Sequence, residues 1–333
     1  SECLVGSEMC IRDRLFDVSQ PASVGVTSII QNIGKVTNSG VEIELDYNAF
    51  KNKDWSVSVG ANATFVKNKI KNLPATMKEN GYISGSKKWL EGKSIYEFWL
   101  RQWHGVDPQT GDGLYVADVS KYNQGNIGTG DGNITQSQFD EYKKTVVTID
   151  GKELTNSYTY AKYDFSGSSI PDVYGGFNVR VSYKNFELAA VFSYQLGGQI
   201  LDTNYATMMS MTEFGYAQSP DLLKAWKQAG DITEVPRIDN SAAHTTNIGQ
   251  SYSTRWLTSS DYLNLRSVTI GYQLPKTWLS KVMLKSARLN LTAENLFMLK
   301  ARQGLNPMAN YSGVTYNEYM PSRNITLGLN VSF

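Results

Sequence analysis

The stretch Asn324-Ile325-Thr326-Leu327-Gly328-Leu329-Asn330-Val331-Ser332-Phe333 alternates polar and apolar residues without a break. Successive side chains of a strand point to opposite faces. Ile325, Leu327, Leu329, Val331 and Phe333 therefore share an apolar face, and Asn324, Thr326, Gly328, Asn330 and Ser332 a polar one. One face for lipid and one for water is what the wall of a transmembrane β-barrel needs, because a closed sheet leaves no backbone group unsatisfied in the bilayer.

Working outward, the same alternation recurs. Val41, Ile43, Leu45, Tyr47 and Ala49 oppose Glu42, Glu44, Asp46 and Asn48; after Lys51-Asn52-Lys53-Asp54 the pattern resumes from Trp55 to Phe65. Phe177 to Tyr183 and Phe186 to Leu196 alternate across a turn at Lys184-Asn185, and Ala287 to Phe297 alternates in turn. Such strands match the ~9–11 residues of a tilted barrel wall rather than the ~5–6 usual in sandwiches. Leu263 and Leu265 are out of phase with Val268, Ile270 and Tyr272, which predicts a bulge near Arg266. A further strand is expected from Ile95 to Trp103. Short links (51–54, 184–185, 274–286) separate long ones (68–94, 198–260, 298–320), as tight periplasmic turns alternate with large outer loops. The segment 107–172 yields no assignment. Within the longest loop, Ser219 as cap, Pro220 at the first turn and Gly230 as stop predict a helix with Leu222, Leu223 and Trp226 on its apolar side.

Composition agrees with an all-β, antiparallel transmembrane β-barrel. The 333 residues include 20 Tyr, 7 Trp and 28 Gly; charged residues make up 19% and the net charge is +1, which gives no electrostatic argument for nucleic acid. No apolar run approaches the ~18 residues of a membrane helix, and barrel strands escape such a scan. Leu4 to Arg14 reads like a translated transposase sequencing adapter, so residues 1–14 are expected to be a cloning or assembly scar and 15–333 the biological segment. Both cysteines, Cys3 and Cys10, fall in the expected scar, so neither disulfide nor thiolate metal site is proposed.

Chemistry-bearing constellations are sparse. His104 and His244 lack ligand spacing; Glu42, Glu44 and Asp46 line one face of one strand, as any water-lined wall would show. Asp131-Gly132-Asn133-Ile134 fails the calcium-loop pattern, because Ile127 and Thr129 hold upstream ligand positions and Gln138 stands where glutamate is required. No catalytic residue, metal ligand or cofactor is assigned. Trp55, Trp278, Tyr262, Tyr272 and Tyr319 suit interfacial girdles or ordinary packing. Tyr205, Phe214, Tyr216, Trp256, Tyr311 and Tyr316 fall in the outer loops, suited to stacking on sugar rings or packing a partner.

Several segments together resemble the SusC/RagA-like TonB-dependent transporters: Asn32 to Glu42 (NIGKVTNSGVE), Gly105 to Gly111 (GVDPQTG), Ile170 to Phe177 (IPDVYGGF) and Tyr262 to Arg266 leading to Gly271 to Pro275. Trp226 to Gly230-Asp231 with Val235-Pro236-Arg237, Asn295-Leu296-Phe297 and Pro321-Ser322-Arg323 to Phe333 fit as well. The resemblance spans residues 32–333. It implies a large plugged barrel of which this chain is the C-terminal wall, with the plug and TonB box absent. It implies uptake of an oligosaccharide or peptide across a Bacteroidetes-type outer membrane, with a SusD-like surface lipoprotein and the TonB machinery as partners. It implies that Leu329, Val331 and Phe333 form the signal read by the barrel assembly machinery, and it points to the 198–260 loop, especially Trp226, Asp231 and Arg237, for lipoprotein contact. With Trp256 and Tyr316 these make up the loop candidates. The competing readings are a secreted carbohydrate-binding β-sandwich and, less favoured, an all-β hydrolase.

Overall fold

The computed structural model describes residues 3–9, 12–19, 28–130, 132–211, 215, 217–249, 252–279 and 284–333, and along 3–33 the backbone path alone. Seven long strands form the wall: β1 (Ser28–Lys51), β2 (Trp55–Asn72), β3 (Val173–Tyr183), β4 (Phe186–Leu196), β5 (Tyr262–Gln273), β6 (Ser286–Glu294) and β7 (Asn324–Ser332). Each pairs antiparallel with its neighbours in chain order, on the main path of a ten-stranded sheet. Cys3–Met9, inside the expected scar, and Arg12–Ser19 both pair with β1, and Met298–Lys300 pairs with β5.

The register carries the alternation from strand to strand. Directly paired residues of an antiparallel ladder share a face. Tyr47, Val59, Val179, Ala190, Val268, Ala293 and Ile325 form one apolar row across all seven strands. Val57, Val181, Leu188, Ile270, Leu291 and Leu327 form the next. Interleaved with them, Asn48, Ser58, Arg180, Ala189, Thr269, Thr292 and Thr326 make a polar row on the other face. The apolar face is uncovered: Ile325, Leu327 and Leu329 are 73%, 69% and 62% exposed. A sandwich would bury these side chains under a second sheet, and among the described residues no sheet covers them. From Phe186 to Leu196 the face runs about 34 Å along the strand, or about 24 Å of bilayer depth at a ~45° tilt, close to the apolar band of an outer-membrane barrel.

Two of the wall's bulges keep this face in phase. Val191 pairs with Ser267 but Phe192 with Leu265, so Arg266 is the extra residue, at the predicted place. Its carbonyl accepts the Asn295 N–H (3.0 Å), while the Leu265 N–H reaches the Phe297 carbonyl (3.1 Å). The expected strand from Ala287 to Phe297 consequently ends at Glu294, with Asn295 at φ 51°. The second bulge was unforeseen. Asn48 pairs with Ser58 but Phe50 with Val57, which expels Ala49 from the apolar face assigned to it and seats the larger Phe50 there.

All short links lie at one end of the wall. At the other, the described residues of 73–172, 197–261 and 295–323 fold into a common mass of small sheets and short helices. Glu97–Arg101 is a strand, as expected between Ile95 and Trp103, but it belongs to this mass and not to the wall. The unassigned 107–172 segment contains α1 (Gln136–Thr145), opened by a Thr135–Gln138 capping box. The helix expected after Ser219 shrinks to a 3-10 turn, Pro220–Lys224. Its stripe is split: Leu222 packs inward, Leu223 faces solvent, and Trp226 lies beyond the turn. A core of Phe98, Leu100, Leu201, Ala206, Met209, Ala225, Val235, Trp256 and Val314 draws on all three loops.

Candidate functional site

Three of the loop candidates form a brace. Asp107 folds the Asp107-Pro108-Gln109-Thr110-Gly111 turn by accepting the Gln109 N–H and the Thr110 hydroxyl, both at 2.9 Å, and Gly111 completes it at φ +74°. Trp226 donates its indole N–H to the Pro108 carbonyl (2.9 Å), which also receives the Gly230 N–H (2.8 Å). A Cβ on Gly111 would run into the Trp226 ring, so only glycine admits this contact. Arg237 closes the other side through Asp112 (3.0 Å) and Asp239 (2.5 Å), its own N–H bonded to the Gly111 carbonyl (2.8 Å). The Asp239 carboxyl is held below its usual range by the Ser241 N–H, with Arg237 adding to the effect. Asp231 accepts the Lys227 and Gln228 N–H groups, both at 3.0 Å. Two motifs more than a hundred residues apart thus lock onto each other. Beside the brace, Leu223, Ile232 and Ile238 present apolar side chains to solvent.

Trp256 is 2% exposed, at the centre of the loop core. It meets Tyr205 edge-on and carries the Arg255 guanidinium on its face, so its task is to hold the loops together rather than to offer a free stacking surface. Tyr316 is 67% exposed and lines a cavity of about 320 Å³ with Trp89, Tyr96, Tyr252 and Lys87. Lys87 is buried; its ammonium donates to the Tyr96 carbonyl (2.9 Å) and Ser169 hydroxyl (3.1 Å) and sits 3.7 Å from the Phe98 ring centre. Burial pushes its pKa down to about 7, against the opposing pull of Glu97. A second cavity, about 340 Å³, lies between Trp103, Tyr205, Arg255 and Arg302. Sequence reading passed over Lys87, Arg255 and Arg302; Arg255 has a local signal, a cation next to Trp256, and Arg302, near Lys300 and away from any aromatic neighbour, has none. Phe214 and Tyr216 lie outside the described residues, as does Asp131.

The polar face of the wall carries charge in pairs. Glu187 accepts Arg288 (2.9 Å) and lies 3.5 Å from Arg180, and Arg288 also donates to Asn290 (2.8 Å). Glu42, Glu44 and Asp46 stand opposite Thr64, Asn62 and Gly60 on that face. His244 is buried with Nε2 2.8 Å from the Arg237 carbonyl, and His104 is exposed. Among the described residues no three His, Cys, Asp or Glu side chains are grouped to hold a metal ion.

No family model matches the chain. Among characterised proteins, TonB-dependent receptor P3 of Formosa agariphila is 28% identical over 339 residues, which cover 96% of this chain and 31% of the receptor. TonB-dependent receptor SusC of Bacteroides thetaiotaomicron is 23% identical over 335 residues, covering 96% of this chain and 29% of its own length. The RagAB peptide importer in its closed-closed state superposes with a TM-score of 0.74 at 26% identity, over 97% of this chain and 32% of that one. The chain therefore spans about a third of the length of the relatives it matches.

Proposed function

We propose, on the premise that this chain is a homologue of the SusC- and RagA-like TonB-dependent receptors and forms outer-membrane barrel wall, that it serves TonB-driven import of a glycan or peptide nutrient. Residues 15–333 supply part of the wall and three of the outer loops. The observation that carries this reading is the unbroken apolar face across seven paired strands, with all the elaborated loops at one end. Such a wall needs no covalent chemistry. It offers a polar lining, an oily belt and a shaped outer rim, and the energy arrives from the inner membrane through TonB.

The rim is the contact for a SusD-like surface lipoprotein. Trp226, Asp231 and Arg237 act from beneath: their polar groups are bound within the loop, and they fix the exposed Ile232, Ile238 and Leu223 as a ridge. Large apolar side chains held rigidly in solvent mark interaction sites. Leu329, Val331 and Phe333, on one exposed face of the last strand, suit delivery to the barrel assembly machinery. The test is the double variant Ile232→Asp/Ile238→Asp in the full-length receptor. Lipoprotein co-purification should fall about tenfold or more, while heat-modifiable migration of the barrel stays unchanged. Undiminished co-purification would sink the ridge as the contact.

A further inference from the structure

Two arginines of the loop mass, Arg101 and Arg255, have no carboxylate partner among the described residues. Arg255 lies between two indoles, 4.7 Å from the Trp103 ring centre and 4.3 Å from that of Trp256, and donates to the Ile248 carbonyl (3.1 Å). Behind it Arg101 is stacked on Tyr158 and Tyr163, with Nε and Nη1 buried and unpartnered. Neither guanidinium forms an ion pair among the described residues. Across the cavity Arg302 covers the Tyr205 ring at 3.5 Å and gives one nitrogen to Asp202 (3.3 Å). Burial is severe enough to bring Arg255 down to about 10. A buried cation without a counter-ion is costly, and aromatic faces offset part of that cost. An arriving carboxylate would offset more, through the paired N–H geometry that guanidinium groups present.

We propose that this cavity is an anchoring subsite for the acidic end of an oligosaccharide, with Arg255 and Arg302 taking the carboxylate of a uronic-acid residue. This deepens the import reading and rests on it. The volume, about 340 Å³, suits one or two sugar rings. Thr233, Thr254 and Glu234 line it with groups fit for sugar hydroxyls. A peptide bound as an added strand is disfavoured, because that mode needs a free strand edge. Beside this cavity the Arg101 N–H already reaches the Tyr252 carbonyl (3.4 Å) and the Trp103 N–H the Thr254 hydroxyl (2.9 Å).

The experiment is calorimetric titration of the detergent-solubilised full-length receptor with three probes. These are an oligosaccharide ending in glucuronic acid, the same oligosaccharide ending in glucose, and triglutamate. The acid-ended sugar should bind at least about tenfold more tightly than the glucose-ended one, as expected for charge-assisted hydrogen bonds. Arg255→Gln and, separately, Arg302→Gln should remove that ratio. Because Arg255 is packed between indoles, the more accessible Arg302→Gln keeps the test valid if Arg255→Gln misfolds. Equal affinity for the two sugars, no binding of the acid-ended probe, tighter binding of triglutamate, or an unchanged ratio in Arg302→Gln would each overturn the subsite. None of these would touch the import reading, which is judged by lipoprotein co-purification.

Discussion

The wall and the loop mass obey opposite rules of burial. On the wall, Ile270, Leu291 and Leu327 keep their side chains outside, and stability comes from the antiparallel ladder, lipid on one face and water on the other. In the loops, Phe98, Leu100 and Trp256 are sealed inside as in any globular core, and cations are sealed in with them. A residue type therefore changes meaning between the two regions. An exposed leucine is ordinary on the wall but a contact candidate on the loops; Arg180 and Arg288 meet Glu187 on the wetted face of the wall, whereas Arg255 is packed between indoles in the loops.

The sharpest way to break this division is Trp256→Ala. Emptying a core position of this size costs about 3–5 kcal/mol, and the cost should fall on the loops alone. Limited proteolysis is expected to open new cuts between residues 203 and 260, while the barrel keeps its heat-modifiable migration. Loss of the barrel as well would show that wall and loops fold as one unit, and continued resistance would remove Trp256 from its central place.

Ile270→Arg tests the wall in the converse manner. Ile270 lies between Leu188 and Leu291 on the lipid face of β5, two residues in from the Phe186–Tyr272 pair at the short-link end of the wall, where a basic residue costs between the ~0–1 kcal/mol of the interface and the ~2–4 kcal/mol of the midplane. Thr269→Arg, one residue away, faces water beside Thr292, whose hydroxyl lies 3.1 Å from that of Thr269. Recovery in the outer-membrane fraction should fall for Ile270→Arg and hold for Thr269→Arg. Equal recovery would mean that the two faces do not meet different solvents.

The two regions also differ in how far sequence discloses them. Wall strands obey a period of two, so β3, β4 and β7 could be placed within a few residues, and the slip at Arg266 announced its own bulge. The bulge at Ala49 stayed hidden because Ala49 and Phe50 both suit an apolar face; the choice is made by pairing with Val57. Loop residues have no period. Trp226 and Arg237 could be singled out, but not their mutual fit around Gly111, because that contact joins segments over a hundred residues apart. Trp256 shows the difficulty in one side chain: an aromatic in an outer loop suggests an exposed platform, and only the converging loops make it core. Arg255 went unnoticed for the same reason, since its importance comes from indoles at positions 103 and 256 together.

The smallest effect per step of the experiment, here one pH unit, concerns Lys87, the loop counterpart of the water-facing lysines. Its pKa in the folded protein, about 7, lies below the ordinary 10.5. Between those values the unfolded loop binds more protons than the folded one, so loop stability rises as pH increases from about 7 toward 10.5. Below pH 7 the whole cost of burying the ammonium is present. The slope cannot exceed about 1.4 kcal/mol per pH unit for a single group. Comparing the wild type with Lys87→Met at pH 6.5, 8 and 9.5 removes the background of other titrating groups. Resistance of the loops to heat-induced cleavage should climb with pH in the wild type relative to the variant, with the wall unaffected. A flat difference across that window would mean that Lys87 keeps its charge in the folded loops, held by the Tyr96 carbonyl, the Ser169 hydroxyl and the face of Phe98. The loop interior would then tolerate charge as readily as the wetted face of the wall, and the contrast between the two regions would narrow to shape.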